Sequence, residues 1–124
     1  MTTPLEVLAV FTGGGAGAVA RFAAGRVAAP FAPPAGFPWP TFAINVAGSA
    51  LLGMLVVLCK DRPTLLLFLG TGVCGGFTTF SAFSVEAVRL LEAHRPDLAL
   101  LYAGASVAAG VGAAYVTMLA LDAK

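Results

Sequence analysis

The charged side chains of this chain are bunched so tightly that four long stretches carry none: residues 7–20 (14 residues), 27–59 (33), 63–85 (23) and 98–121 (24). An α-helix rises about 1.5 Å per residue, so roughly 20 apolar residues cross the hydrocarbon of a bilayer. Runs of this length predict a chain whose solvent is lipid. Composition agrees, with 59% hydrophobic and 10% charged side chains and a mean hydropathy of +0.93, too little charge for a water-facing surface. These figures exclude a soluble enzyme, a disordered tail and a disulfide-stapled secreted domain. A formal net charge of +1 offers no electrostatic footprint for nucleic acid.

Residues 1–124 read as one all-α membrane domain of four helices, at about 5–26, 40–59, 63–92 and 98–121. The first reaches spanning length only if Arg21 is accepted in its last turns, where it must snorkel or face a wet cavity. Pro30, Pro33, Pro34 and Pro38 cannot sustain a helix, so they form a loop, closed by Trp39 as an interfacial anchor. Lys60-Asp61-Arg62 ends the second span, Pro63 opens the third in a first-turn position, and His94-Arg95-Pro96-Asp97 makes a polar turn before the fourth. The start Met-Thr-Thr-Pro-Leu-Glu lacks the positive region of a cleaved signal, so the first span is expected to stay attached. Cys59 and Cys74 have no metal or redox spacing and read as small apolar residues.

The glycine run after Phe11 imitates a dinucleotide fingerprint, but no acid follows between Glu6 and Asp61 to hold a ribose. In a membrane helix Gly13 and Gly17 instead make a small-xxx-small face for close backbone approach. Four spans put Lys60, Arg62 and Lys124 on one side and Arg26, Arg89 and Arg95 on the other, with Arg21 a possible fourth. So small a Lys/Arg bias is compatible with one weakly specified orientation, or with insertion both ways and antiparallel pairing.

Polar residues recur where lipid is expected. Asn45 lies early in the second span with Thr41 at i−4 and Gly48 and Ser49 at i+3 and i+4, either as interhelical glue or as a donor lining a solute path. In the fourth span Tyr102, Ser106, Gly110, Ala113 and Thr117 form a weak polar stripe that would serve packing equally well. Gly75-Gly76 near the middle of the third span, followed by Thr78-Thr79, predicts a broken helix. Carbonyls freed there suit a hard cation such as Na⁺, and Thr78 or Thr79 would cap the second half. Phe80 and Phe83 follow at helical spacing beside Ser81 and Ser84, as packing or as ring edges that stabilise a small anion. Glu86 and Arg89, at i and i+3, read as an interfacial ion pair.

Three segments resemble the small bacterial fluoride channels, the Fluc or CrcB-type family: Gly14-Gly-Ala-Gly-Ala-Val-Ala-Arg21-Phe22, Thr41-Phe-Ala-Ile-Asn45-Val-Ala-Gly48-Ser49, and Gly75-Gly76-Phe-Thr78-Thr79-Phe80-Ser81-Ala-Phe83-Ser84-Val-Glu86. The resemblance implies a dual-topology, antiparallel homodimer in the bacterial inner membrane that passively exports fluoride. It implies a fluoride pore at Asn45, Phe80, Ser81, Phe83, Tyr102 and Ser106, a vestibule at Arg21 and Glu86, and a structural Na⁺ at the dimer centre held by the carbonyls of Gly75 and Thr78. The chain departs from the family pattern at Ala82, where many relatives have Thr, and at Gly110, where a hydroxyl would extend the polar face of the fourth helix. At 12.5 kDa four spans are too small to enclose a pore alone, and a second copy would supply the missing walls. With no nucleophile–base pair or metal-ligand cluster in the sequence, no enzyme is expected. The alternative is a small proton-coupled multidrug exporter of the four-helix antiparallel type, which requires an acid at membrane depth. A structural subunit would leave a broken helix without a purpose.

Overall fold

A computed structural model describes residues 1–122; Lys124, one of the charges weighed for orientation, lies outside the described residues. The chain is all-helical and contains four helical spans long and apolar enough to cross a membrane: Pro4–Phe31, Trp39–Leu58, Pro63–Glu92 and Pro96–Asp122. Helix α1 (Pro4–Ala28) starts at a capping box, in which Glu6 N–H donates to Thr3 Oγ1 at 3.2 Å and Thr3 N–H to Glu6 Oε2 at 2.7 Å. A 3₁₀ turn, Ala29–Phe31, leads into the proline loop, and α2 is Trp39–Leu58. The third span is composite: α3 (Pro63–Leu66), a π-helical stretch Leu67–Cys74, the single turn α4 (Gly75–Phe77), and α5 (Phe80–Glu92). Between α4 and α5, Thr78 (φ −80°, ψ 157°) and Thr79 (φ −151°, ψ 116°) are extended. Helix α6 is Pro96–Asp122, two residues longer at its start than the sequence reading because Pro96 suits a first turn.

The spans pack in two pairs, α1 on the π stretch and α4, and α2 on α6. The first pair is a contact of backbone on backbone. A Cβ at Gly72 would stand 2.9 Å from the Gly13 Cα, one at Gly17 would stand 2.9 Å from the Phe77 amide nitrogen, and one at Gly76 would run into the Gly14 carbonyl. Gly13, Gly17, Gly72 and Gly76 thus let two helices touch at their main chains, where dispersion is densest. In the second pair a Cβ at Gly53 would meet the Ala114 carbonyl at 2.6 Å, and one at Gly110 would sit 3.5 Å from Ser49 Oγ. The fourth-span stripe faces α2.

Gly75 and Gly76, expected to break the third span, are themselves helical. Glycine at 76 answers a different need, the approach of α1, and the extended residues come at Thr78 and Thr79.

Buried apolar side chains form two clusters: Leu55, Cys59 and Cys74 with Leu66 and Leu69, and Leu90, Ala99 and Tyr102 with Phe37, Phe42, Phe83, Ala87 and Leu98. Most large apolar residues, among them Phe11, Val19, Phe22, Leu100, Val111 and Leu119, point outward. That is the arrangement of a multi-pass membrane protein rather than of one with an apolar inside and a polar outside.

Candidate functional site

Two extended residues inside an apolar span leave backbone groups without helical partners, each expensive in hydrocarbon. The second span supplies the remedy. Asn45 on α2 accepts the Thr79 N–H at Oδ1 (2.7 Å) and donates from Nδ2 to the Thr79 carbonyl (3.0 Å), so one amide satisfies both polar groups of one residue. Because the Thr79 N–H is spent on Asn45, the Gly75 carbonyl loses its i+4 donor. The Gly76 carbonyl instead accepts Arg21 Nε at 3.1 Å, and the Cys74 carbonyl takes both the N–H and the hydroxyl of Thr78, each at 2.9 Å. Thr79 Oγ1 then caps α5 by accepting the Ala82 N–H at 3.1 Å, and it lies 3.1 Å from Ser81 Oγ.

Around this junction opens a groove of about 530 Å³ between α2, the π stretch, α5 and α6. Asn45, Ser49, Thr78, Thr79 and Ser106 line it together with Phe80 and Phe83. No charged side chain lines it. Phe80 is 79% exposed, its ring centroid 5.5 Å from that of Phe83. Ser106 Oγ is buried and has no hydrogen-bond partner among the described residues, whereas Ser49 Oγ is used up on the Asn45 carbonyl at 2.7 Å.

At the outer end the Phe83 ring packs at a tilt against Tyr102, centroids 5.0 Å apart, and Tyr102 in turn meets Phe37 edge-on at 5.3 Å. The fully buried Tyr102 donates its hydroxyl to Glu86 Oε2 at 2.7 Å, and the buried Thr41 donates to Glu86 Oε1 at 2.8 Å. Glu86 is therefore no partner of Arg89: the only ion pair among the described residues is Arg95–Asp97 at 3.0 Å. Two hydroxyls from α2 and α6 outcompete a guanidinium one turn away because they reach both carboxylate oxygens with short bonds. On the other face of α5, Arg21 and Arg26 share a cavity of about 240 Å³ with Thr41, Thr79 and Ala82. Arg21 is thus accommodated within its span by that cavity and by the Gly76 carbonyl.

Six of the residues singled out from sequence, Asn45, Gly75, Thr78, Phe80, Phe83 and Ser106, line one groove. Ser81 stands just outside on the turn that Thr79 caps, Tyr102 and Glu86 make the outer end, and Arg21 approaches from the opposite side. Thr79, one of the two threonines expected to cap the second half, does cap α5; what the sequence did not reveal is that its backbone organises the junction and that Thr41 is a partner of Glu86. Thr41 carried a signal, since it lies one turn before Asn45 on the same helix face.

Residues 8–118 match the family described as CrcB-like protein, Camphor Resistance (CrcB). The chain is 55% identical over 106 residues to "Fluoride-specific ion channel FluC" of Novosphingobium aromaticivorans, covering 82% of this chain and 84% of that protein. It is 44% identical over 115 residues to "Fluoride-specific ion channel FluC 1" of Mycolicibacterium paratuberculosis, covering 90% and 86%. To the FluC protein of Chlorobium luteolum it is 40% identical over 121 residues, covering 94% and 92%.

Proposed function

The chain belongs to the CrcB family, and from that premise we propose that it is a fluoride-selective channel of the bacterial inner membrane, exporting cytoplasmic fluoride passively. The observation that carries this reading is the uncharged groove, in which Phe80 and Phe83 stand beside Asn45 and an unpartnered Ser106 hydroxyl. A small anion gives up a costly hydration shell on entry. Positive ring edges and a few fixed donors replace that water with short contacts, and they fit fluoride better than the larger chloride. No full positive charge lines the groove to trap the ion, so passage stays fast. Relatives named as fluoride-specific channels favour this over the proton-coupled exporter.

The working unit is an antiparallel, dual-topology homodimer. In a single chain Phe80 lies open beside the groove, and the near-equal Lys/Arg counts on the two sides allow insertion both ways. Thr78-Thr79 is the break of the third span, and the carbonyls of Gly75 and Thr78 would hold a structural Na⁺ at the dimer centre. The donors fit: carbonyl oxygens suit a hard monovalent ion, one of them lacks its helical donor, and no group of three or more His, Cys, Asp or Glu that would hold another metal occurs among the described residues. When bound, the ion supplies positive charge to oxygens that lipid cannot solvate.

Purified protein in liposomes loaded with fluoride, and separately with chloride, tests the reading. Rapid fluoride efflux with chloride retained is expected. Equal passage of both ions, or of neither, refutes it.

A further inference from the structure

A second cavity, of about 220 Å³, lies beneath the proline loop and is not part of the groove. Pro33, Gly36, Phe37 and Pro40 roof it, and Glu86 and Arg89 stand on its floor. Its roof is stiff: the Gly36 N–H bonds the Pro33 carbonyl at 3.1 Å, Ala35 is held at φ 52°, and prolines fix the flanking torsions. The place is the membrane–water boundary, where Trp39 begins α2 and the last turns of α5 carry charge. Glu86 belongs to this cavity and also to the Thr41–Glu86–Tyr102 cluster at the outer end of the aromatic pair. The cavity therefore abuts the end of the groove's ring-lined wall, but it brings a carboxylate with it.

A fixed carboxylate at the exit repels an arriving anion, and some cation has to offset it. Arg95 is occupied by Asp97, and Arg21 and Arg26 line the cavity on the other face. Arg89 is the cation that shares this cavity with Glu86; it is exposed and has no carboxylate partner among the described residues.

We infer that the cavity beneath the proline loop is the aqueous mouth of the anion path and that Arg89 is the charge that concentrates small monovalent anions there. The inference rests on the channel reading above. Arg89 acts through potential rather than by touching the ion in the narrow part, so its effect must depend on the sign of the charge and on screening. A Debye length of roughly 30 Å at 10 mM salt shrinks to a few ångströms near 1 M.

The test measures fluoride flux in proteoliposomes for the parent, Arg89→Lys, Arg89→Gln and Arg89→Glu at about 10 mM and about 1 M ionic strength. Arg89→Lys should keep the parent flux. Arg89→Gln should lose roughly three- to tenfold at low salt and Arg89→Glu more, both recovering to within about twofold at high salt. In parallel, Arg89→Cys is treated with water-soluble cationic and anionic thiol reagents, with the parent as control for Cys59 and Cys74. The cationic adduct should restore flux and the anionic one lower it further. Parent-like flux in Arg89→Glu at low salt, or a loss that includes Arg89→Lys and ignores salt, overturns the assignment. So does failure of the reagents to label the Arg89→Cys variant beyond the parent. A parent that passes no fluoride fails the channel reading itself, and is told apart because the labelling still reports whether the cavity is wet.

Discussion

The third span changes character at Thr78-Thr79. On the N-terminal side the π stretch and α4 meet α1 through Gly72 and Gly76, with almost no side chain between the two main chains. On the C-terminal side α5 turns Phe80 and Phe83 toward the groove and Glu86 toward the cavity beneath the proline loop. The first half has spent its sequence on proximity and the second on chemistry. Position in the first half is fixed by the absence of atoms, so the second half can carry side chains that satisfy a solute instead of each other.

The comparison breaks most violently at the glycines. Leu at Gly17 or Gly76 pushes into opposing backbone that has no flexible end to move aside. Overpacking of this kind costs about 3 kcal/mol or more, and no assembled protein should survive size-exclusion chromatography in mild detergent. Gly15, with nothing near its missing Cβ, should accept Ala without loss. If Gly76→Leu assembles like the parent, main-chain proximity is not what holds the first half.

Next in size is Asn45→Ala, which leaves the Thr79 N–H and carbonyl without partners. A buried unsatisfied group costs about 1–3 kcal/mol, and membrane hydrogen bonds measure about 0.6–2. A loss of about 2 kcal/mol in a reversible unfolding assay is expected, with fluoride flux down at least severalfold. Unchanged stability would mean that the junction is held by packing alone.

Phe80→Ile and Phe83→Ile sharpen the second half. Both remove a ring edge at similar apolar volume, so flux should fall roughly tenfold or more while assembly persists. They should differ in stability: Phe83 touches Tyr102, an aromatic contact of about 0.5–1.5 kcal/mol, whereas Phe80 is exposed. Full parental flux from both variants would make the rings packing residues. Smallest is Ser84→Ala. Its hydroxyl bonds only the Phe80 carbonyl one turn back at 2.9 Å, and the change should stay within about 0.5 kcal/mol and about twofold in flux.

The spans were legible because charge depletion over about 20 residues has one physical solution, and the Gly13 and Gly17 face was legible from its spacing. The place of the extended residues was not. Propensity marks Gly75-Gly76 as the weakest helix, yet propensity knows nothing of α1 lying against Gly76, or of an amide on α2 waiting for Thr79. The same blindness hid the Glu86 hydroxyl cluster. An i, i+3 acid and base read as a pair along one helix, while nothing in a linear pattern joins Thr41 and Tyr102, 45 and 16 residues distant, to Glu86. Asn45 shows the mixed case: glue between helices and lining of a path were read as alternatives, and it grips the Thr79 backbone while also facing the groove.

That grip has a consequence in time. The Thr79 amide lies outside any helix, in an extended residue beside a groove, and such amides ordinarily exchange their protons with water quickly. Here the proton sits on Asn45 Oδ1 while the same side chain holds the Thr79 carbonyl, so neither bond can open without straining the other. Deuterium uptake at Thr79 should be as slow as in the flanking helices, which would make the least regular residue of the third span one of its slowest clocks.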